Sequence, residues 1–159
     1  MVRLGGVILG LVWAQSAPVD TLYGLIGLSL EMDKAAFSPA TLIPKGTSQR
    51  KVWYRWAVDT AWQGIPIREV QLAFYRDKLH TIEVRLTRPE DAEAFLVLLE
   101  TFLGKGVQDG YAPRYRWRGE RAALLYDQNI LTRVTTVRIE SLALQRQLER
   151  DVYRDYQSR

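Results

Sequence analysis

The sequence predicts an α+β domain: a mainly antiparallel sheet of about six strands with helices on one side, and a helix closing the chain. Three observations carry that class. Val70, Leu72 and Phe74 alternate with Glu69, Gln71, Ala73 and Tyr75, a period of two. Ala92, Phe95, Leu96, Leu99, Phe102 and Leu103 recur at helical spacing. Short turn-forming links separate the strand-like segments, so antiparallel hairpins dominate over crossovers.

Taken in order, the chain opens with Arg3 and an unbroken apolar run from Leu4 to Ala14, followed by the small residues Ser16 and Ala17. That is the layout of a secretory signal peptide over residues 1–14, cleaved after Ala14 or, alternatively, after Ser16. The run is short of the roughly 20 residues a spanning helix needs. It predicts an exported protein, periplasmic or extracellular, with no transmembrane segment in the mature chain. The competing reading is a buried first strand of a cytosolic domain. A single α+β domain over residues 22–141 and a C-terminal amphipathic helix over 142–159 follow.

Within the domain, Leu22 to Leu28 reads as a short strand or turn, and Ser29 to Phe37 as a short helix stopped by Ser38-Pro39. Pro39 to Arg50, with two prolines and a glycine, reads as a mobile loop. Val52 to Val58 is aromatic and branched, a strand signal. Gly64 to Pro66 marks a turn. The Glu69–Tyr75 strand turns at Arg76-Asp77 and returns through Leu79–Leu86, with Ile82, Val84 and Leu86 on one face. Thr87 and Glu90 have the spacing of a capping box, and Gly104 ends the helix they open. Strands are expected at Arg114–Arg118, Ala122–Asp127 and Leu131–Ile139. Ser141 then opens a final helix with the apolar stripe Leu144, Leu148, Val152 and Tyr156.

The order helix, three strands, helix, three strands, helix suggests a helix-β-β-β duplication. Tyr54-Arg55-Trp56 recurs as Tyr115-Arg116-Trp117, and Trp62-Gln-Gly64 echoes Trp117-Arg-Gly119. Phe74-Tyr75 with Ile82-Glu-Val84 echoes Leu125-Tyr126 with Val137-Arg-Ile139. The offsets differ between pairs, so chance similarity of two aromatic hairpins is the competing account. With the Phe74-Tyr-Arg-Asp-Lys-Leu79 phrase, the Leu103-Gly104 helix end and the alternation to Ile139-Glu-Ser141, residues 22–141 resemble small exported bacterial proteins of unassigned function. Their layout is similar to the beta-lactamase-inhibitor-protein-like fold, an open antiparallel platform. The resemblance implies binding or scaffolding over catalysis and carries no site residues.

Composition narrows the chemistry. The 159 residues contain no cysteine, which removes disulfides, a thiol nucleophile, thiolate metal sites and lipidation through an N-terminal cysteine. A hydrophobic content of 47% suffices for a core without staples. Net charge is +4; removing Arg3 leaves 21 basic against 18 acidic residues, or +3. Tyr111 to Arg118 is the one basic and aromatic run, but strand alternation puts Arg114, Arg116 and Arg118 on one side and Tyr115 and Trp117 on the other. Nucleic acid is therefore disfavoured.

The single histidine, His80, lacks a nucleophile elbow or a second ligand and is expected at the surface or an edge. Glu69 and Glu83 fit the polar face of a hairpin, opposed by Arg68 and Arg85, better than a glycosidase pair. No catalytic, cofactor-binding or metal-ligating residues are assigned, and no cofactor is expected. The candidate partner surface is the aromatic set Trp53, Tyr54, Trp56, Tyr115 and Trp117, which crowds the sheet on both faces. The expected role is an exported, non-enzymatic binding or scaffolding domain of the bacterial envelope, its partner a protein or small ligand. The alternatives are a carboxylate-dependent hydrolase of envelope polymers and a self-assembling envelope protein whose terminal helix meets a partner helix.

Overall fold

The computed structural model describes residues 18–159; the predicted signal peptide lies outside them. A five-residue helix α1 (Pro18–Leu22) leads into a small ribbon, β1 (Gly24–Leu25) with β2 (Leu28–Ser29). Then come β3 (Leu42–Ser48), β4 (Lys51–Trp56), the side hairpin β5 (Thr60–Trp62) and β6 (Ile65–Ile67), β7 (Glu69–Tyr75) and β8 (Lys78–Leu86). Helix α2 (Pro89–Leu103) crosses to β9 (Val107–Gln108), β10 (Arg114–Arg118), β11 (Ala122–Gln128) and β12 (Thr135–Ser141), and α3 (Leu142–Gln157) closes the chain.

The main sheet has eight strands in the order β3-β4-β7-β8-β12-β11-β10-β9, antiparallel throughout. Each half is a four-strand meander running inward, and the halves meet where β8 pairs with β12. The equivalent strands are therefore β3 with β9, β4 with β10, β7 with β11, and β8 with β12. Tyr54-Arg-Trp56 and Tyr115-Arg-Trp117 occupy matching strands, as do Ile82-Glu-Val84 and Val137-Arg-Ile139. The other echoes do not match. Trp62 lies in the β5–β6 hairpin, outside the main sheet, and Phe74 faces the core whereas Leu125 does not.

Eight strands replace the expected six or so because Val107–Gln108 adds the short β9 at one rim and Pro39–Arg50 is not all loop. Leu42–Ser48 within it forms β3, an outermost strand that carries Pro44 and a register shift between Pro44 and Gly46. An outermost strand tolerates a proline that a central one would not. The predicted Ser29–Phe37 helix is also replaced. Ser29 belongs to β2, Asp33 bridges to Lys78, and only a single 3-10 turn, Lys34–Ala36, remains. The turn between β3 and β4 uses Gln49 and Arg50, and that between β7 and β8 uses Arg76 and Asp77, all at positive φ. Such left-handed pairs match the right-handed strand twist.

Alternation gives the sheet two faces. Leu72, Phe74, Ile82, Val84, Val137, Ile139, Leu124 and Tyr126 form the core face, and α2 lies on it. Ala92, Phe95, Leu99 and Leu103 of α2 are buried there at helical spacing, with the Phe95 ring tilted against Trp62 at 4.5 Å between ring centroids. The predicted capping box does not form: the N-cap is Arg88, and its guanidinium takes the Glu90 carboxylate instead. Gly104 ends α2 at φ 75° as expected.

Helices do not all gather on one side. Gln71, Ala73 and Tyr75 point away from the core cluster, and the Tyr75 hydroxyl donates to Asp151 of α3. The α3 helix therefore lies on the opposite face, across one end of the sheet. Its buried side chains are Leu142, Leu144, Leu148 and Asp151. The expected stripe departs from this after one turn: Val152 and Tyr156 are exposed, and Asp151 and Asp155 face the body through Tyr75, Arg76 and Arg50. Charge partners on the β-hairpin turns pull the contact line to the acidic positions.

At the other end, Asp20 of α1 is 3% exposed. Its carboxylate accepts from the amides of Glu120, Arg121 and Ala122 at 2.8–2.9 Å, tying the N-terminal turn to the β10–β11 hairpin.

Candidate functional site: the open face of the sheet

Beyond the end covered by α3, the second sheet face carries mostly charged side chains. Strand register lines up Arg55, Gln71, Glu83, Arg138, Leu125 and Arg116 across six strands. The neighbouring row runs Glu69, Arg85, Thr136, Asp127 and Arg114. At its centre Glu83, with a side chain 5% exposed, is gripped by Arg138 through Nε and Nη2 at 3.0 and 2.6 Å, and by Arg85 at 3.5 Å. This pair joins the two meanders. Glu69 meets Arg85 at 3.8 Å, so the expected opposition of the hairpin acids by Arg85 holds, with Arg138 as a further partner. Arg114 pairs with Asp127 at 2.7 Å, and Arg116 with Asp109 at 2.7 Å.

The five aromatic residues named from sequence do not form one surface. Trp117 is buried, and its indole N–H donates to the Gly104 carbonyl at 2.9 Å. Tyr115 packs against Trp117 and Tyr126 on the core side. Tyr54 and Trp56 also pack against the core, edge-on to Phe74 and Phe37 respectively. Only Trp53 lies on the open face. The alternation that separated Arg114, Arg116 and Arg118 from Tyr115 and Trp117 is realised as read, and the same alternation on β4 turns Tyr54 and Trp56 to the core side, half-buried, and Trp53 to the open face.

His80 departs from its expected surface position. It falls at the register irregularity between β7 and β8, where Ala73 faces Thr81 and Phe74 faces Leu79. This bulge turns the imidazole under α3, fully buried, with Nδ1 2.7 Å from Thr81 Oγ1 and Nε2 3.0 Å from Gln145 Oε1. Burial, helped by the Lys51 charge, pushes its pKa down to about 4. The ring is a neutral strut between sheet and helix.

Two shallow hollows mark the open face. One of 310 Å³ lies among Arg116, Arg118, Leu125 and Arg138. The other, of 460 Å³, lies beside the β3–β4 hairpin and is lined by Lys51, Trp53, Glu83, Arg85 and Arg138. Sequence reasoning missed Lys51: it looks like a turn-flanking surface lysine, yet the residue is 8% exposed. Its Nζ lies 5.7 Å from the Trp53 ring centroid, and among the described residues it makes no hydrogen bond or ion pair. Burial pushes its pKa below the ordinary lysine value, with Arg138 adding to the effect and Glu140 opposing it.

Among the described residues no three histidine, cysteine, aspartate or glutamate side chains converge as metal ligands. No helix there is long and apolar enough to cross a membrane. No protein family, no curated protein and no solved structure matches this chain.

Proposed function

We propose that this chain is an exported, non-enzymatic binding domain of the bacterial envelope, and that it receives its ligand or protein partner on the open face of the main sheet. The uncovered breadth of that face carries the reading. A rigid eight-stranded platform presents Trp53, Arg85, Arg116 and Arg138 to solvent while α2 secures the other side. Arginine and tryptophan are the side chains that most often anchor interfaces. Glu69, Glu83 and Asp127 on this face are engaged by guanidinium groups, an arrangement suited to recognition more than to proton transfer. The layout likeness to the beta-lactamase-inhibitor-protein-like fold belongs to the same reading, since it implies an open platform and a binding or scaffolding role. Export rests on the first fourteen residues. The first anchored positions, Val19 and Asp20, follow both cleavage points, so removing the leader spares the clamp.

The exposed Val152, Tyr153 and Tyr156 on α3 favour a second reading, self-assembly through that helix. One experiment separates the readings. The full chain is produced in a bacterial host, and the exported form is weighed by intact-mass spectrometry, with an N-terminus at Gln15 or Ala17 expected. That form and a Trp53→Ala/Arg116→Glu variant are then compared for retention of envelope components. Equal retention by both, or an uncleaved cytoplasmic product, refutes the proposal. Concentration-dependent sedimentation lost on Tyr156→Glu would establish assembly instead.

A further inference from the structure

The hollow beside the β3–β4 hairpin holds something the ion-pair network does not explain. Four cationic side chains, Lys45, Lys51, Arg85 and Arg138, line it against one acid, Glu83. Glu83 is already shared by both arginines. Lys51 is more than nine-tenths buried, with its ammonium next to the Trp53 ring and no acceptor bonded to it among the described residues. An ammonium on a residue this buried loses most of its hydration and favours an anion beside it. Among the described residues no acceptor bonds it, and Nζ keeps an edge open to the hollow, where an incoming anion would meet it.

We infer that this hollow is a binding site for a phosphoryl group, held between Lys51 and Arg138 with the β3–β4 hairpin at its rim. This rests on reading the open face as a binding surface. Phosphoryl chemistry fits better than carboxylate for two reasons. The excess of positive lining charge suits a group that carries up to two negative charges. The donors also come from several directions: an ammonium from β4 and a guanidinium from β12, with Ser48, cross-strand from Lys51, at the hairpin rim. A tetrahedral oxyanion offers acceptors in as many directions, whereas carboxylate oxygens are coplanar. Lysine serves as a point charge and arginine as a fork, the division of labour seen at phosphate sites. The lowered pKa of Lys51 agrees, because a bound oxyanion would relieve the burial that lowers it.

The test is calorimetric titration of the purified full chain with sodium phosphate and with glycerol 3-phosphate. Sedimentation with phosphatidylcholine vesicles, with and without phosphatidylglycerol, runs in parallel. Both soluble ions should bind. Lys51→Met should weaken binding by about tenfold or more, equivalent to about 1.4 kcal/mol, with an unchanged circular-dichroism melt. Lys51→Arg should keep it, and Lys105→Gln, in the loop after α2, should behave as the parent chain. Lys51-dependent sedimentation with phosphatidylglycerol vesicles would identify a lipid headgroup as the source; binding of the soluble esters alone would identify a phosphorylated small molecule. No heat with phosphate at about 10 mM, where a site of even millimolar affinity would fill, overturns the inference. So does equal binding of acetate, or Lys51→Met binding like the parent. If these fail while the Trp53→Ala/Arg116→Glu variant still loses envelope components, the phosphoryl site falls and the open-face reading stands.

Discussion

Replacing Asp20 by alanine should loosen the N-terminal end of the body by about 2–4 kcal/mol. The carboxylate accepts from three consecutive amides, and hydrogen bonds to a charged acceptor contribute about 1.5–3 kcal/mol each. Two of the donors, Glu120 and Arg121, belong to exposed residues whose amides water can reach, and the carboxylate's own burial cost disappears in the variant. The third donor belongs to Ala122, fully buried, and an orphaned amide there costs about 1–3 kcal/mol. For a body of this size the loss should lower Tm by roughly 6–12 °C, measurable by calorimetry or urea unfolding. Asp20→Asn should lose less, since one oxygen still serves Arg121 and Ala122 while its amide nitrogen faces the Glu120 N–H. Burial alone would raise the Asp20 pKa, but the three amides and Arg121 outweigh it and hold the group below its ordinary value. A depressed folded pKa means that this stabilisation is complete above the unfolded value near 3.9 and is lost as pH falls through the folded one. The Asp20→Ala deficit should therefore shrink in acid. Gly119 supplies an internal check: a β-carbon there would overlap the Asp20 carboxylate, so Gly119→Ala and Asp20→Ala should be strongly non-additive. A loss below about 1 kcal/mol for Asp20→Ala, within the range of ordinary surface changes, would refute the clamp.

Two further predictions follow from burial. As the only histidine, His80 gives one Cε1–H resonance, which should titrate near pH 4; because the unfolded ring binds its proton near 6.5, stability should rise by about 3 kcal/mol between those values, and a midpoint at 6.5 or above would contradict the buried strut. Trp117→Ala should cost about 3–5 kcal/mol as a buried aromatic truncation, whereas Trp53→Ala on the open face should cost about 1 kcal/mol or less, and the reverse order in urea unfolding would invert the assigned faces.

Much of the fold was legible because alternation is a local signal. β10 and β11 bury one face, and β7 and β8 keep an apolar alternation toward the core although their second face is also largely buried, while α2 carried its own period with a glycine stop. β3 was not legible because Pro44, Lys45 and Gly46 are loop residues by composition, and only pairing with β4 makes them a strand. His80 was misplaced for a related reason: a bulge shifts phase by one residue, and nothing in the neighbouring side chains announces it. The α3 contact line was misread where distant arginines chose Asp151 and Asp155 over Val152 and Tyr156. For the candidate site, the polar alternation of Glu83, Arg85 and Arg138 could be read from the strands. The burial of Lys51 could not, because it depends on β3, β4, β12 and the final helix converging, a property of the assembled sheet and of no segment within it.

The sheet's two rims have a consequence for how copies can meet. One rim is β3, kinked at its bulge and carrying a proline and a lysine; the other is β9, only two residues long. Neither offers the long, flat row of free amides and carbonyls that lets a neighbouring chain add on as another strand. In a crowded compartment such a molecule resists growing sideways into fibrils. An encounter through the main sheet has to use side chains, broadside on its open face.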